Sequence, residues 1–398
     1  MNIKKFDFGI NNYLEDRPKL KKYLPQALTL FAIIFVLGYF TYNAQVNMGN
    51  RGIVFGFGFL TQESSFDIQF SLIDYDGSYS YGRAYLVGLL NTILVSVIGI
   101  FFATLLGVIV GISRLSSNYL VSKFAETYVE IFRNIPLLLQ IFFWYFAALR
   151  ALPLPQDAIN LFDVTYLTVK GWFVPRFVWT NLSVFTGSLV LAIVAIIFTY
   201  IFAKKKQETT GKRIPAFLIS IGLIIILPLL TFLFGGVKLD FEYPKLIQQA
   251  PTIFNFSGGV GIIPELIALA LALSLYTATF IAECVRAGIM GVGKGQKEAA
   301  ASIGLTPNQT LRLVVMPQAL RIIIPPTTNQ YLNLTKNSSL AAAIAYPDLV
   351  LVFAGTAMMQ TGRAIEIVSI TMLTYLTLSI LISIFMNWYN KKIAIKEK

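Results

Sequence analysis

Lys297-Glu298-Ala299-Ala300-Ala301-Ser302-Ile303-Gly304-Leu305-Thr306-Pro307-Asn308-Gln309 is a polar stretch set between strongly apolar neighbours, and it closes at Val314-Val315-Met316-Pro317. A segment of this polarity has to project into water. Gln296 to Ile303 is rich in alanine and other good helix formers, and Gly304 stands where a helix-ending residue takes positive φ without a Cβ clash. Thr306 then offers an N-cap, Pro307 suits the first helical position, and Gln309 completes a Thr-x-x-Gln capping box. This second helix is expected to end by Met316, because a residue before proline avoids the α region. Two short helices at an angle, rigidly capped, make a protruding knuckle suited to docking.

Composition fixes what the knuckle protrudes from. Of 398 residues 56% are hydrophobic and 13% charged, against about 25% charged in soluble proteins. This is a polytopic, predominantly helical (all-α) membrane protein. With no histidine and a single cysteine, Cys284, the chain offers no disulfide and no usual metal-ligand set. The net charge of +12 does not indicate nucleic acid, because the basic residues concentrate in the segments placed inside the cell, as the positive-inside rule requires. The first apolar run is too long for a signal-peptide core and lacks a small-residue cleavage site after it.

Gly288-x-x-x-x-Gly293-Lys294-Gly295 nearly matches a phosphate-binding loop, but Gly295 stands where Ser or Thr would hold the metal, and a helix rather than a strand precedes it. No nucleotide site and no cofactor are therefore expected on this chain, and energy must come from another subunit.

Glu298-Ala299-Ala300, then Gly304 and Val314-x-Met316-Pro317, resembles the EAA loop of ABC-transporter permeases, whose usual ending is Ile-x-Leu-Pro. The resemblance implies that Glu298, Ala299, Ala300, Gly304 and Pro317 belong to the element that couples the permease to its ATPase. Upstream, Glu130-x-x-Arg133-x-x-Pro136-Leu137-x-x-Gln140 resembles a signature of amino-acid ABC permeases. Glu130 and Arg133 are one turn apart and able to pair, while Pro136 breaks the ladder where an apolar run begins.

The charge pattern predicts eight spans with both termini cytoplasmic. A basic tail leads into a first span near Pro25 to Tyr42, and an acidic exterior loop, Asn43 to Arg83, carries the aromatic run Phe55 to Leu60. Spans follow at Tyr85 to Ile112, Pro136 to Arg150, Leu182 to Ala203, Ile214 to Phe234, Ile262 to Ile281, from Ala319, and at Ile367 to Trp388. Lys204-Lys205-Lys206 and Lys212-Arg213 mark an inside turn, and 235–261 is an exterior loop. The chain thus divides into residues 1–84, a permease domain over 85–388 and a tail at 389–398. Within that domain the core is 85–150 and 262–388, and 182–235 is a two-helix insertion.

The seventh span carries the unusual chemistry. Pro325-Pro326 removes two backbone donors, so the helix is expected to bend or open there. Asn329, Asn333, Lys336 and Asn337 share one helical face. Putting a lysine inside a span costs about 2.5 to 3.5 kcal/mol on the translocon scale, so the stripe must face protein or water. Hydrogen-bonding glue between helices is the plain alternative, with Glu265 and Glu366 as candidate acidic partners for Lys336. The segment from Met316 to Leu340 resembles a family stretch ending Leu-Lys-Asp-Thr-Ser-Leu, with Asn337 in place of the aspartate. On that resemblance Asn329, Asn333, Lys336, Ser338 and Ser339 are candidates for the translocation path.

Taken together, the chain resembles the five-helix core of polar amino-acid ABC importers, enlarged as in the large permease subunits of general L-amino-acid importers. That implies a bacterial inner-membrane subunit, bathed in lipid, working with a second, unlike permease, an ATPase dimer, a periplasmic amino-acid-binding protein and an amino-acid substrate. The rival is an ion-coupled secondary carrier, against which stand the absence of an inverted repeat and of paired interrupted helices. An intramembrane enzyme lacks a nucleophile–base constellation, so no catalytic residue is named.

Overall fold

In a bilayer every backbone amide of a spanning segment must find its partner within protein, and long apolar runs solve this as helices. The computed structural model describes residues 18–50, 56–211, 215–250 and 253–393. Its long helices are α1 (Pro18–Asn50), α2 (Tyr81–Ser113), α3 (Tyr119–Asn134), α4 (Leu137–Phe142, running on as a π-helix through Leu149), α5 (Leu182–Thr210), α6 (Ala216–Leu233) and α7 (Pro264–Met290). The short helices α8 (Lys294–Ser302) and α9 (Pro307–Thr310) follow, then α10 (Met316–Asn337) and α11 (Ala364–Ile393). The expected tail over residues 1–17, Phe55, Lys212–Arg213 and residues 394–398 lie outside the described residues.

Among the described residues six helices are long and apolar enough to cross a membrane, and α3 with α4, bent by 102°, makes a broken seventh. The 22-residue α10 is too polar to qualify by composition. At 1.5 Å per residue it is about 33 Å long, enough for an eighth span. The break between α3 and α4 has a local cause. Ile135 before Pro136 is extended, at φ −93° and ψ 127°. Gln140 Nε2 then reaches back to the carbonyls of Phe132 and Ile135 at 2.8 and 2.9 Å, satisfying groups that the helix end would leave unpaired.

α7 is the centre of the bundle, with Leu269, Leu273 and Ile281 fully enclosed. α2 approaches it through glycines. A Cβ on Gly107 would lie 2.6 Å from Ile281 Cβ, and one on Gly111 would lie 2.7 Å from the Ala282 carbonyl oxygen. Small residues at such crossings let backbones close up, which is how helices pack where no hydrophobic drive exists between them.

Two expectations about α10 change. The chain does not leave the helix before Pro317. Leu311–Val315 form a π turn in which the Met316 N–H donates to Leu311, and helix continues into α10. This wider turn accommodates the proline, which lacks the donor that a regular ladder needs. Nor does Pro325-Pro326 open the helix, which runs unbroken to Asn337. Packing against α7 and α11 holds it. The Thr327 and Thr328 hydroxyls donate to the Ile323 and Ile324 carbonyls at 2.7 and 3.0 Å, not to the Arg321 and Ile322 carbonyls that the prolines deprive of a donor.

The end of the bundle away from α8 and α9 is more ordered than the sequence reading of loops. Phe59 from residues 56–80 and Tyr81 at the start of α2 pack with Leu349, Phe353 and Ile367, and Gly56 N–H donates to Glu366 Oε1 at 2.9 Å. A stretch of short helical turns, 338–361, is tied to α2 by Asn91 Nδ2 to the Pro347 carbonyl and by Leu349 N–H to Thr92 Oγ1. The segments flanking α5 and α6 form strands: β1 (Ile159–Leu161), β2 (Thr165–Thr168), β3 (Gly171–Val174), β4 (Arg176–Thr180), β5 (Lys238–Glu242), β6 (Lys245–Ala250), β7 (Ile253–Ser257) and β8 (Val260–Ile262). The sheet order is β1-β2-β3-β8, with antiparallel β4–β5 and β6–β7 pairs. Aromatic contacts support them, Phe173 with Phe256 and Phe177 with Phe241 at 4.3 and 5.0 Å between centroids. β3–β8 and β4–β5 join the two sides of the inserted helix pair.

Candidate functional site

At the other end of the bundle the quoted stretch forms the expected knuckle. α8 closes on Gly304, whose φ is +82°, with its N–H on Ala301 and the Leu305 N–H on Ala300 at 2.9 and 3.1 Å. This is the six-to-one pattern of a glycine-terminated helix. α9 starts with both capping-box bonds: Thr306 N–H donates to Gln309 Oε1 at 2.9 Å, and Gln309 N–H to Thr306 Oγ1 at 3.4 Å. Glu298 and Ala299 are exposed, Ala300 is buried beneath them, and Pro317 is half-buried at the start of α10. Ile303 at the tip is 76% exposed, an apolar side chain offered to water beside an acidic one. The geometry is a stiff projection with a mixed surface, suited to a groove on another protein.

One side of α10 is open. Ile322, Pro325, Asn329, Asn333 and Lys336 are all exposed, at successive spacings of three or four residues. The candidate residues therefore divide. Asn329, Asn333 and Lys336 lie on that open stripe, and Ser339 is half-buried, donating to the Lys336 carbonyl at 2.8 Å. Ser338 is fully buried and donates to the Thr335 carbonyl at 2.7 Å. Asn337 is half-buried. Neither acidic candidate reaches Lys336. Glu265 accepts from Tyr145 OH at 2.8 Å, and Glu366 is engaged by Gly56 N–H and by Arg363 at 3.5 Å. Among the described residues Lys336 makes no ion pair.

The upstream signature is partly structural. Gln140 is buried as the cap described above, and Pro136 sets the break. Glu130 and Arg133 are both exposed, and the local pair that their spacing allows is not made. Arg133 instead lies over the Phe280 ring at 5.4 Å to the centroid, a cation–π contact that replaces a partly hydrated ion pair. The near-match to a phosphate loop also has a packing explanation, since Gly288 sits within α7 where a Cβ would strike Ile323 of α10.

Sequence reasoning missed an ionic cluster in the half of the bundle nearer the knuckle. Glu283 on α7 is held by Arg286 of the same helix and by Arg114 just beyond α2. The spacing of Glu283 and Arg286 was a visible signal, whereas Arg114 joins only through the close α2–α7 approach.

Residues 203–395 match the family model described as the binding-protein-dependent transport system inner membrane component. The chain is 49% identical over 382 residues to the putative amino-acid ABC transporter permease protein YhdX of Escherichia coli K12, with 96% of each chain covered. It is 48% identical over 382 residues to the general L-amino acid transport system permease protein AapQ of Rhizobium johnstonii, covering 96% of this chain and 94% of that one. Against the glutamate/glutamine/aspartate/asparagine transport system permease protein BztB of Rhodobacter capsulatus identity is 40% over 406 residues, covering 94% and 93%.

Proposed function

This chain belongs to the amino-acid ABC transporter permeases, and from that premise we propose how its parts divide the work of import. The observation that carries the proposal is the knuckle: its exposed Glu298 and Ile303, rigidly capped on both sides, form the element that docks a separate ATPase dimer. ATP binding by that dimer moves the knuckle, and α7 and α10, which flank it directly in the chain, carry the movement into the membrane. Glu298→Lys reverses charge at the contact, and Gly304→Val forces a β-branched residue into positive φ. Each is expected to weaken co-purification of the ATPase or to lower uptake severalfold while the permease itself stays folded. Normal pull-down and normal uptake in both variants would refute the docking role.

The open stripe of α10 is the second part of the proposal. Asn329, Asn333 and Lys336 line the substrate path, which closes only against a second, unlike permease. An ammonium with no carboxylate partner among the described residues attracts the carboxylate of an L-amino acid, and the asparagine amides both donate and accept. The relatives' names support L-amino acids as the class carried, delivered by a periplasmic binding protein. The core of 85–150 and 262–388 does the transport, and the helix pair at 182–235 is an addition to it.

Orientation follows from charge. The knuckle and Lys204–Lys206 face the cytoplasm of a bacterial inner membrane, as do both termini, while the strands and the 56–80 segment face the periplasm. Cysteines placed at Lys205 and Asp74 in a Cys284→Ser background are expected to react with an impermeant reagent from opposite sides. Reaction of both from one side would overturn this orientation.

A further inference from the structure

Arg133, Phe280, Glu283, Cys284, Pro326 and Gln330 line a cavity of about 270 Å³ in the half of the bundle nearer the knuckle. Pro326 is ten residues from Lys336 on the same helix, about 15 Å along its axis at 1.5 Å per residue. The cavity borders the open stripe of α10, since Ile322 belongs to both. Its two charged residues do not pair with each other. Glu283 is already shared between Arg114 and Arg286, and Arg133 makes no ion pair among the described residues. Of the lining residues only Arg133 and Glu283 carry charge. Because Glu283 is already engaged by two arginines that do not line the cavity, Arg133 is left without a carboxylate partner there. The Arg133 guanidinium lies over the Phe280 ring, and the residue as a whole is exposed.

We propose that this cavity is a second carboxylate-binding station for the transported amino acid, on the cytoplasmic side of Lys336, with Arg133 as its anion-binding residue. The proposal rests on the reading that the α10 stripe lines the path. A guanidinium offers a fork of donors that matches a carboxylate with two parallel bonds. Gln330 supplies an amide carbonyl able to accept from the α-ammonium group. Glu283, held by its own two arginines, keeps the local charge from becoming excessive without neutralising Arg133. A substrate leaving Lys336 would then meet a replacement cation before reaching the cytoplasm.

Cys284 lies in the cavity wall and is the chain's one cysteine, which gives a direct readout. In the purified nucleotide-free complex, alkylation of Cys284 by N-ethylmaleimide is followed by mass spectrometry of its peptide. L-leucine, L-glutamine and L-glutamate, mixed at millimolar concentration, are expected to slow it at least threefold, and the corresponding carboxamides, which lack the α-carboxylate, not at all. Arg133→Gln is expected to erase the protection, whereas Lys336→Met should retain it. Equal rates with acids and amides in the unmodified complex would overturn the proposal, as would protection that survives Arg133→Gln. Loss of protection in Lys336→Met would overturn the independence of the second station. Failure of the stripe reading registers separately, as normal uptake by Lys336→Met. Should Arg133→Gln not assemble, the acid–amide contrast in the unmodified complex still decides the matter.

Discussion

α6 and α7 lie in the same bilayer yet are built on opposite terms. α6 is the more apolar helix, and of its 18 residues only Ala216, Ser220 and Pro228 are buried within the protein, whereas 67% of the most apolar 18-residue window of α7 is. α6 presents Phe217, Leu218, Ile225 and Leu233 outward, where lipid solvates them. α7 buries alanines and threonines, and carries Glu265 and Glu283. In water apolar residues go inside; in lipid there is no such gradient, so packing selects small residues and function selects polar ones. Hydropathy therefore finds the spans, and departures from it find the machinery.

The comparison breaks most visibly at glycines. Gly107→Val pushes a branched side chain into Ile281 of α7, and overpacking of this kind costs about 1–3 kcal/mol or more where backbones touch. We expect a severalfold loss of monodisperse protein and a much lower thermal midpoint. Gly187 on α5 has nothing within 4 Å of its Cβ position, so Gly187→Val should change the midpoint little. Equal sensitivity at the two positions would mean that α5 is packed against protein rather than lipid.

Next in size is the charge contrast. Lys336→Met on the open stripe of α10 is expected to lower uptake at least tenfold, with the ATPase still co-purifying and still turning over. Lys206→Met, at the exposed end of α5, should leave uptake within twofold. A loss of assembly in Lys336→Met would instead assign the lysine to a contact with the partner permease.

A smaller effect belongs to the cap between α3 and α4. Gln140→Leu leaves the carbonyls of Phe132 and Ile135 without their shared donor, at a cost of about 1–3 kcal/mol for buried polar groups. The expected result is a lower thermal midpoint, read by differential scanning fluorimetry, with transport per folded complex nearly unchanged. Smallest is Thr306→Ala, which removes one half of the capping box, worth about 1 kcal/mol. Its expected signature is faster amide exchange confined to α9.

The parts legible from sequence were those decided within one turn of backbone. The Gly304 ending, the Thr306–Gln309 box and the break at Pro136 each depend on residues no more than a few positions apart. The unbroken course of α10 through Pro325-Pro326 was not legible, because packing against α7 and α11, which no local pattern announces, holds the helix. The hairpins outside α5 and α6 were hidden for a related reason: β3 pairs with β8 across more than eighty residues, and neither segment alternates for long enough to announce itself. On α10 the helical register placed Asn329, Asn333 and Lys336 on one face, but burial of Ser338 depends on how the chain turns after Asn337. The Arg114–Glu283 contact likewise needs the α2–α7 approach that Gly107 and Gly111 permit.

The central claim is that movement along the α10 stripe is driven through the knuckle by ATP hydrolysed on another subunit. The direct test is uptake of labelled L-amino acids into proteoliposomes holding the complete complex and its binding protein, with ATP supplied at the knuckle face and ion gradients collapsed. The account predicts uptake that requires ATP, persists without any ion gradient and is lost in Gly304→Val. Uptake driven by an imposed ion gradient with no ATP present would contradict it.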